Sequence, residues 1–245
     1  MSIFFEVHQD LPREGPGDNS QTRKALSLLT DLPARPRILD IGCGPGMQTI
    51  ELAKQTNGTI TAIDNYAPFL EALRKRSIEE GVAGRINILQ ASMFELGLEK
   101  ESVDLIWSEG AIYIIGFEKG IRDWRPFLKK GGHIAVTELS WIKANPPAEI
   151  KSYWGTESPG MKRLEDNRRI IRAEGYEEVG YFILPESSWW DHYYQPMEKR
   201  IEILRQKYGE DEAVRNQLDV HQKEIEMYRR YSAWYGYVFY LMQVQ

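Results

Sequence analysis

The sequence predicts a doubly wound α/β fold on a mostly parallel sheet, and three observations carry that expectation. Short β-branched runs alternate with amphipathic stretches through the first two thirds of the chain, the pattern of βαβ units around a sheet. A strand that ends in an acid runs directly into Gly42-Cys43-Gly44-Pro45-Gly46 ahead of a helix. The 245 residues, 42% of them hydrophobic, suffice for one α/β core with residues left over for a cap.

Taken in order, Thr22 to Leu32 reads as an entry helix. Arg37 to Ile41 is the first strand, and the helix Met47 to Gln55 ends near Asn57-Gly58. Thr59 to Asp64 is the second strand. Pro68 suits the first turn of a helix that Gly81 stops after Glu80. Strands follow at Ile86 to Gln90 and Val103 to Trp107, then a helix at Gly120 to Leu128. Lys129-Lys130-Gly131-Gly132 makes a turn into a fifth strand, His133 to Leu139. A helix at Leu164 to Ala173, closed by Gly175, leads to a sixth strand, Tyr181 to Leu184.

After Pro185 the texture changes. Trp189, Trp190, His192, Tyr193 and Tyr194 crowd together ahead of a charged helical region from about Pro196 to Ser232, and Tyr235 to Val244 reads as a last, antiparallel strand. The charges balance, with Lys199, Arg205 and Arg230 set against Glu198, Glu210 and Glu226 among others. One domain is therefore expected: an N-terminal helical or lid segment at 1–35, a core at 36–185, a helical insertion at 186–234 and the last strand at 235–245.

Lysine plus arginine number 31 against 36 aspartates and glutamates, a net charge of −5 with both signs dispersed. A polyanionic partner is disfavoured. Cys43 is the single cysteine, so an internal disulfide and a thiolate metal cluster are both excluded, which fits a reducing compartment. The first 20 residues carry Glu6, Asp10, Glu14 and Asp18 and no long apolar run. A cytoplasmic location without membrane association is the expectation. His8, His133, His192 and His221 are scattered without metal-ligand spacing, so no metal is expected.

Alternate glycines let a backbone turn sharply and approach a ligand closely at the carboxyl edge of a sheet. A second acid, Asp64, closes the next strand 22 positions after Gly42. A dinucleotide would favour G-x-G-x-x-G, but Met47 stands where the third glycine would fall, and Asp40 would repel a pyrophosphate. S-adenosylmethionine has no phosphate and carries an ammonium and a sulfonium, which an acid favours. Asp64 serves either cofactor, because a carboxylate accepts from ribose hydroxyls.

Leu39-Asp40-Ile41-Gly42-Cys43-Gly44-Pro45-Gly46 resembles motif I of class I S-adenosylmethionine-dependent methyltransferases, and Ala62-Ile63-Asp64 resembles their motif II. The likeness continues through Leu89 to Leu96, Val103 to Trp107 and Phe127 to Gly132, and so covers roughly Arg37 to Leu139. The wider chain, notably Trp107 to Tyr113 and the surroundings of Trp189, is similar to small prokaryotic methyltransferases of unassigned substrate. The resemblance implies the seven-stranded, Rossmann-like sheet of that family with a C-terminal helical insertion, S-adenosylmethionine as cofactor and S-adenosylhomocysteine as product.

By the same resemblance, Gly42 and Gly44 pack on the methionine part, Asp64 with Asn65 holds the ribose, and Ser92 and Met93 border the adenine. A serine stands at 92 where many members carry an aspartate. Ser108 and Glu109 would lie beside the transferable methyl, with Glu109 the candidate to orient or deprotonate the acceptor. Asp40 joins the cofactor set.

Gln48 either bonds the cofactor or faces solvent, and Cys43 belongs to the cofactor-binding loop as a small packing residue rather than a nucleophile. Glu138, at the favourable end of its strand, either reaches the cleft or serves as a structural acceptor. Tyr113, Trp189, His192 and Tyr193 are the candidate acceptor contacts, against the plainer reading that the aromatics anchor the insertion.

The expected function is methyl transfer to a small-molecule acceptor. The alternatives are a non-catalytic cofactor-binding module, a nucleic-acid methyltransferase and a nicotinamide oxidoreductase, the last opposed by Asp40 and Met47. A homodimer is left open.

Overall fold

The structure is a computed structural model that describes residues 3–8, 11, 13–209 and 211–245; Asp10 and Glu210 lie outside the described residues. The elements in chain order are α1 (Ile3–His8), α2 (Asn19–Ser27), β1 (Arg37–Ile41), α3 (Met47–Gln55), β2 (Thr59–Asp64), α4 (Ala67–Glu79), β3 (Ile86–Gln90), β4 (Val103–Ser108), α5 (Phe117–Trp124) and β5 (Leu128–Trp141). They continue as α6 (Ala148–Glu157), β6 (Lys162–Arg163), α7 (Leu164–Ala173), β7 (Tyr176–Ile183), α8 (Glu186–Trp189), a π-turn (Trp190–Tyr194), α9 (Gln195–Tyr208), α10 (Glu212–Tyr231) and β8 (Tyr235–Val244).

The sheet runs β3-β2-β1-β4-β5-β8-β7, with the two-residue β6 paired to the end of β5. Pairings from β3 through β5 are parallel, and β8 lies antiparallel between β5 and β7. Ile38, Leu39 and Ile41 are all buried, because a central parallel strand is covered on both faces. The strand order reverses at β1, which has β2 on one side and β4 on the other. That reversal opens a crevice outside the carboxyl ends of β1 and β4, where ligands bind in such sheets.

Several boundaries differ from those expected from sequence. The entry helix begins at Asn19 rather than Thr22, because the Asp18 carboxylate accepts from the Ser20 and Gln21 amides and caps it. The helix expected from Gly120 begins at Phe117, whose ring is buried. Lys129 to Gly132 belong to β5 itself: the pairing with β4 slips between Val103 and Leu105, and the residues absorb the irregularity as a bulge. The sixth expected strand begins earlier, at Tyr176. Helix α6 has no counterpart in the sequence reading; Ile150 and Trp154 anchor it.

Two apolar clusters flank the sheet, one around Trp124, Ile121 and Tyr240 under α5 and α7, the other around Leu52, Leu73 and Trp107 under α3 and α4. A third joins the two ends of the chain. Ile3, Val7 and Leu11 pack with Trp189, Met197, Ile201, Leu218 and Ile225, and α1 lies against α9 and α10. Glu6 ties the same surfaces: Lys207 and Tyr208 donate to its carboxylate at 2.8 and 2.6 Å, and Arg200 donates to its carbonyl at 2.8 Å.

Trp189 is central to this third cluster. It is 1% exposed and stacks on Tyr228 with ring centroids 4.2 Å apart. Trp189→Ala should therefore lower folding stability by about 3–5 kcal/mol, the usual cost of deleting a buried large aromatic. Denaturant unfolding checks this, and a loss below about 1 kcal/mol would show that the ring is not part of the core.

Candidate active site

The turn after β1 builds the site. Gly42, Gly44 and Gly46 all have positive φ, a region costly for other residues. Space is short as well: a Cβ on Gly42 would meet the Ala111 Cβ at 2.4 Å, and one on Gly46 would meet Leu73 Cδ1 at 2.2 Å. The loop is then pinned to β2. The Gly42 and Cys43 amides donate to the Ile63 carbonyl at 2.8 and 3.0 Å, and the Gly44 amide donates to Asp64 Oδ2 at 3.0 Å. Asp64 Oδ1 accepts from the Tyr66 amide at 2.9 Å, so this carboxylate fixes two loops and keeps lone pairs for a ligand.

Beside the loop lies a cavity of about 550 Å³, within the range typical of small-molecule sites. Gly42, Cys43, Gly44 and Gln48 form its floor from the β1–α3 turn, and Asp64, Asn65, Tyr66 and Phe69 line it from the end of β2. Ser92, Met93 and Phe94 follow β3, and Glu109, Gly110, Ala111, Tyr113 and Ile114 follow β4. Phe4 and the stretch Arg13 to Pro16 close the remaining side. Of the expected site residues, the structure thus gathers Gly42, Cys43, Gly44, Gln48, Asp64, Asn65, Ser92, Met93, Glu109 and Tyr113 around one space.

Others lie elsewhere. Asp40 does not line the cavity; it is fully buried beneath the loop. Its Oδ2 accepts from Thr49 Oγ1 at 2.6 Å, its Oδ1 has no partner among the described residues, and burial pushes the carboxyl up to about 7. Ser108 is also buried, its hydroxyl donating to the Ile41 carbonyl at 2.8 Å, which locks β4 to β1. Cys43 is buried, and desolvation first, then the charges of Asp40 and Asp64, raise its thiol far above the ordinary value. A nucleophilic thiolate is disfavoured there. Gln48 faces inward, donating to the Cys43 carbonyl at 2.9 Å.

The role expected for Glu109 needs correction. Its side chain is 4% exposed and paired with Arg13 at 2.8 Å. Thr22 Oγ1 donates to it at 2.7 Å and Trp107 Nε1 at 2.9 Å. A carboxylate so fully engaged is a poor base for an acceptor; it fastens the N-terminal stretch to the end of β4. The expected acceptor contacts of Trp189, His192 and Tyr193 are corrected too, since none of the three is among the residues lining the cavity. Trp189 belongs to the third cluster, Tyr193 is buried with its hydroxyl 3.4 Å from His8 Nε2, and His192 is exposed. Glu138 is buried with Oε2 unpartnered among the described residues, and it is not among the residues that line the cavity.

Sequence reading missed Arg13 and Glu14. They sit in a proline- and glycine-rich stretch without periodicity, and only the fold brings them to the glycine loop. Glu14 points into the cavity, and burial first, then the neighbouring Asp64 charge, pushes its carboxyl up to about 8.

Residues 38–132 match the methyltransferase domain family. Over 159 residues the chain is 30% identical to a malonyl-[acyl-carrier protein] O-methyltransferase of Enterobacter lignolyticus, covering 62% of this chain and 59% of that protein. It is 29% identical over 110 residues to the methyltransferase GfsG of Streptomyces halstedii, covering 44% and 40%. The chain thus spans between about two fifths and three fifths of the length of these curated relatives. A S-adenosylmethionine-dependent methyltransferase of Thiobacillus denitrificans, solved with S-adenosylhomocysteine, superposes with a TM-score of 0.84 at 23% identity, covering 100% and 99% of the two chains, a likeness of fold. With the 3-2-1-4-5 parallel core, the antiparallel strand beside it and the motif-bearing loop of residues 39–46, the chain has the fold of that S-adenosylmethionine-dependent methyltransferase, and its residues 38–132 match the methyltransferase domain.

Proposed function

We propose that the protein transfers a methyl group from S-adenosylmethionine to a small-molecule acceptor. The observation that carries the reading is the convergence of the glycine turn and Asp64 on one cavity. The residues fit the cofactor: the turn leaves room for a ligand at Gly44, and Asp64 keeps free lone pairs. A dinucleotide fits poorly, because the Asp64 carboxylate lines the space that a pyrophosphate would enter.

Bound S-adenosylmethionine supplies a methyl already activated by its sulfonium, so alignment and exclusion of water are the protein's share. Asp64 accepts from the ribose hydroxyls while holding the loop. Met93, Phe94, Ile63 and Phe69 give the apolar surroundings an adenine needs. Glu109 acts as a positioning residue, holding Arg13 and so closing the cavity against solvent. Tyr113, half exposed at the rim, and Phe4 are the proposed acceptor contacts. Residues 36–185 with the last strand, 235–245, are read as the cofactor-binding core, and 1–35 together with 186–234 as its cover. The net charge of −5 disfavours a nucleic-acid acceptor. The lone, buried Cys43 supports a cytoplasmic location; among the described residues no helix is long and apolar enough to cross a membrane.

By calorimetry, S-adenosylhomocysteine should bind in the micromolar range and NAD far more weakly; tighter binding of NAD would overturn the cofactor reading. Asp64→Ala should weaken S-adenosylhomocysteine binding by about 1.5–3 kcal/mol, the worth of hydrogen bonds to a charged group. It should also lower thermal stability, because the Gly44 and Tyr66 amides lose their acceptor. Asp64→Asn, which keeps one acceptor oxygen, should be milder on both counts. Unchanged affinity in Asp64→Ala would remove the ribose role.

Glu138 is proposed to act as a buried, protonated acid whose charge, if formed, would be felt by Tyr113. Burial raises its carboxyl from the ordinary 4.5 to about 8, with Lys162 opposing weakly. The folded protein therefore keeps a proton that the unfolded chain releases, so stability from this group is present at low pH and falls as pH rises from about 4.5 to about 8. Glu138→Gln removes that dependence. Its melting temperature should approach the wild-type value near the acid end of this window and exceed it near the basic end. A difference that stays flat with pH would show that Glu138 is not held neutral by burial.

A further inference from the structure

Phe4, Tyr113 and Ile114 line the cavity, yet they are 48%, 54% and 53% exposed. Large apolar residues left open together mark a place that another molecule covers. Each is held there by its own element. Ile112 is fully buried and packs on Gly120, where a Cβ would lie 2.8 Å from Ile112 Cγ1. The Ile114 amide donates to the Ala111 carbonyl at 3.1 Å and the Gly116 amide to the Ile112 carbonyl at 2.9 Å. This tight turn anchors Ile112 and leaves Tyr113 and Ile114 open. Phe4 lies on α1, its ring centroid 4.4 Å from that of His8 and 6.0 Å from that of His221 on α10.

The strand order sets this rim apart from the groups proposed for the nucleoside. β2 and β3 lie on one side of β1 and β4 on the other. Asp64 ends β2, and Ser92 and Met93 follow β3, whereas Tyr113 and Ile114 follow β4. The apolar rim therefore stands across the glycine turn from the ribose and adenine groups.

Charge narrows what the rim accepts. Among the described lining residues, Arg13, Glu14, Asp64 and Glu109 are the charged ones. Arg13 is committed to Glu109 at 2.8 Å, Asn19 at 3.0 Å and Thr22 at 3.3 Å, which leaves no lining cation for an anion. The imidazoles beside Phe4 add no charge at neutral pH: burial lowers His8, and burial with His8 nearby brings His221 down to about 4. The Tyr113 hydroxyl is raised by burial first, then by the charges of Glu224 and Glu138. A carboxylate or phosphate would lose its water here with only the cofactor's own charge in return. A cation fares no better. Burial and Asp64 push Glu14 up to about 8, so it keeps its proton at neutral pH, and a sulfonium repels a second positive charge.

We propose that the methyl acceptor is an uncharged molecule with a flat or branched apolar body, seated between Phe4 of α1 and Tyr113 and Ile114 after β4, and that carboxylate- and phosphate-bearing compounds are rejected. The proposal rests on the cofactor reading given above and names the class of acceptor for that same cavity. It also gives α1 a share in choosing the acceptor, because Phe4 is one wall of the seat.

Three probes of one shape separate charge from fit: naphthylmethanol is uncharged, naphthoate is an anion and naphthylmethylamine is a cation at neutral pH. Calorimetry is run on wild-type protein saturated with S-adenosylhomocysteine, and again with sinefungin, an analogue that carries an amine where the methyl sulfonium stands. Naphthylmethanol should bind at least tenfold more tightly than either charged probe with both analogues. Phe4→Ala and Tyr113→Ala should each weaken naphthylmethanol at least threefold while S-adenosylhomocysteine stays within about threefold of wild type. Val220→Ala removes an exposed apolar side chain outside the lining and should leave naphthylmethanol unchanged. A charged probe that binds as tightly as naphthylmethanol would overturn the proposal, as would failure of all three probes to bind. Naphthylmethanol binding that ignores both Phe4→Ala and Tyr113→Ala, or that falls equally in Val220→Ala, would overturn the seat. Wild-type protein that binds neither S-adenosylhomocysteine nor sinefungin would instead remove the cofactor reading, a failure visible before any probe is added.

Discussion

The site depends on the turn between β1 and α3. Its backbone adopts positive φ at three glycines, and at Gly42 and Gly46 the neighbouring Ala111 and Leu73 leave no room for a side chain. The Asp64 carboxylate then holds the Gly44 amide. Strain-free turning, close packing and one charged hydrogen bond together fix where β1 ends, where α3 starts and which surface the cavity presents. Asp64 thereby does two jobs. It maintains the loop from the end of the neighbouring strand, and it offers its remaining lone pairs to whatever occupies the space.

A second buried interaction completes the enclosure. Removing one partner of the Arg13–Glu109 pair would leave an uncompensated charge, at a cost of about 3–5 kcal/mol. The pair therefore commits the N-terminal stretch to the carboxyl end of β4 despite the absence of regular structure between residues 13 and 18. From there Asp18 caps α2 and meets Ser188, so that the cavity wall, the entry helix and the insertion are mechanically continuous. The third apolar cluster, with α1 against α9 and α10, makes the same connection through packing.

The parallel core was legible because its signals are local. β1, α3, β2, β3 and β8 have the limits that β-branched runs, glycines and the acid at 64 indicate. The part of the cavity wall formed by Gly42, Gly44, Asp64, Asn65, Ser92 and Met93 was legible for the same reason, since each lies at or just after the end of a strand that the sequence announces. What escaped depends on distant contacts. Arg13 and Glu14 meet the site across some thirty residues or more of chain, and helix α6 is held by Trp154 in a cluster formed by both ends of the chain. The crowded aromatics after Pro185 are ambiguous by composition alone: an acceptor pocket and a packed core both want Trp and Tyr. Burial of Trp189 and Tyr193 resolves them as core. Glu109 was found by its position after β4, but its chemistry was misread, because the donors that engage it come from residues 13, 22 and 107.

The central claim is that this cavity brings a methyl donor together with a small acceptor. Incubation of the protein with S-adenosylmethionine labelled in its methyl group, in the presence of a fractionated cell extract, tests it most directly. The account predicts label in the small-molecule fraction, with S-adenosylhomocysteine formed in equal amount. Label recovered in nucleic acid or protein, or cofactor bound without any S-adenosylhomocysteine formed across the fractions, would contradict it.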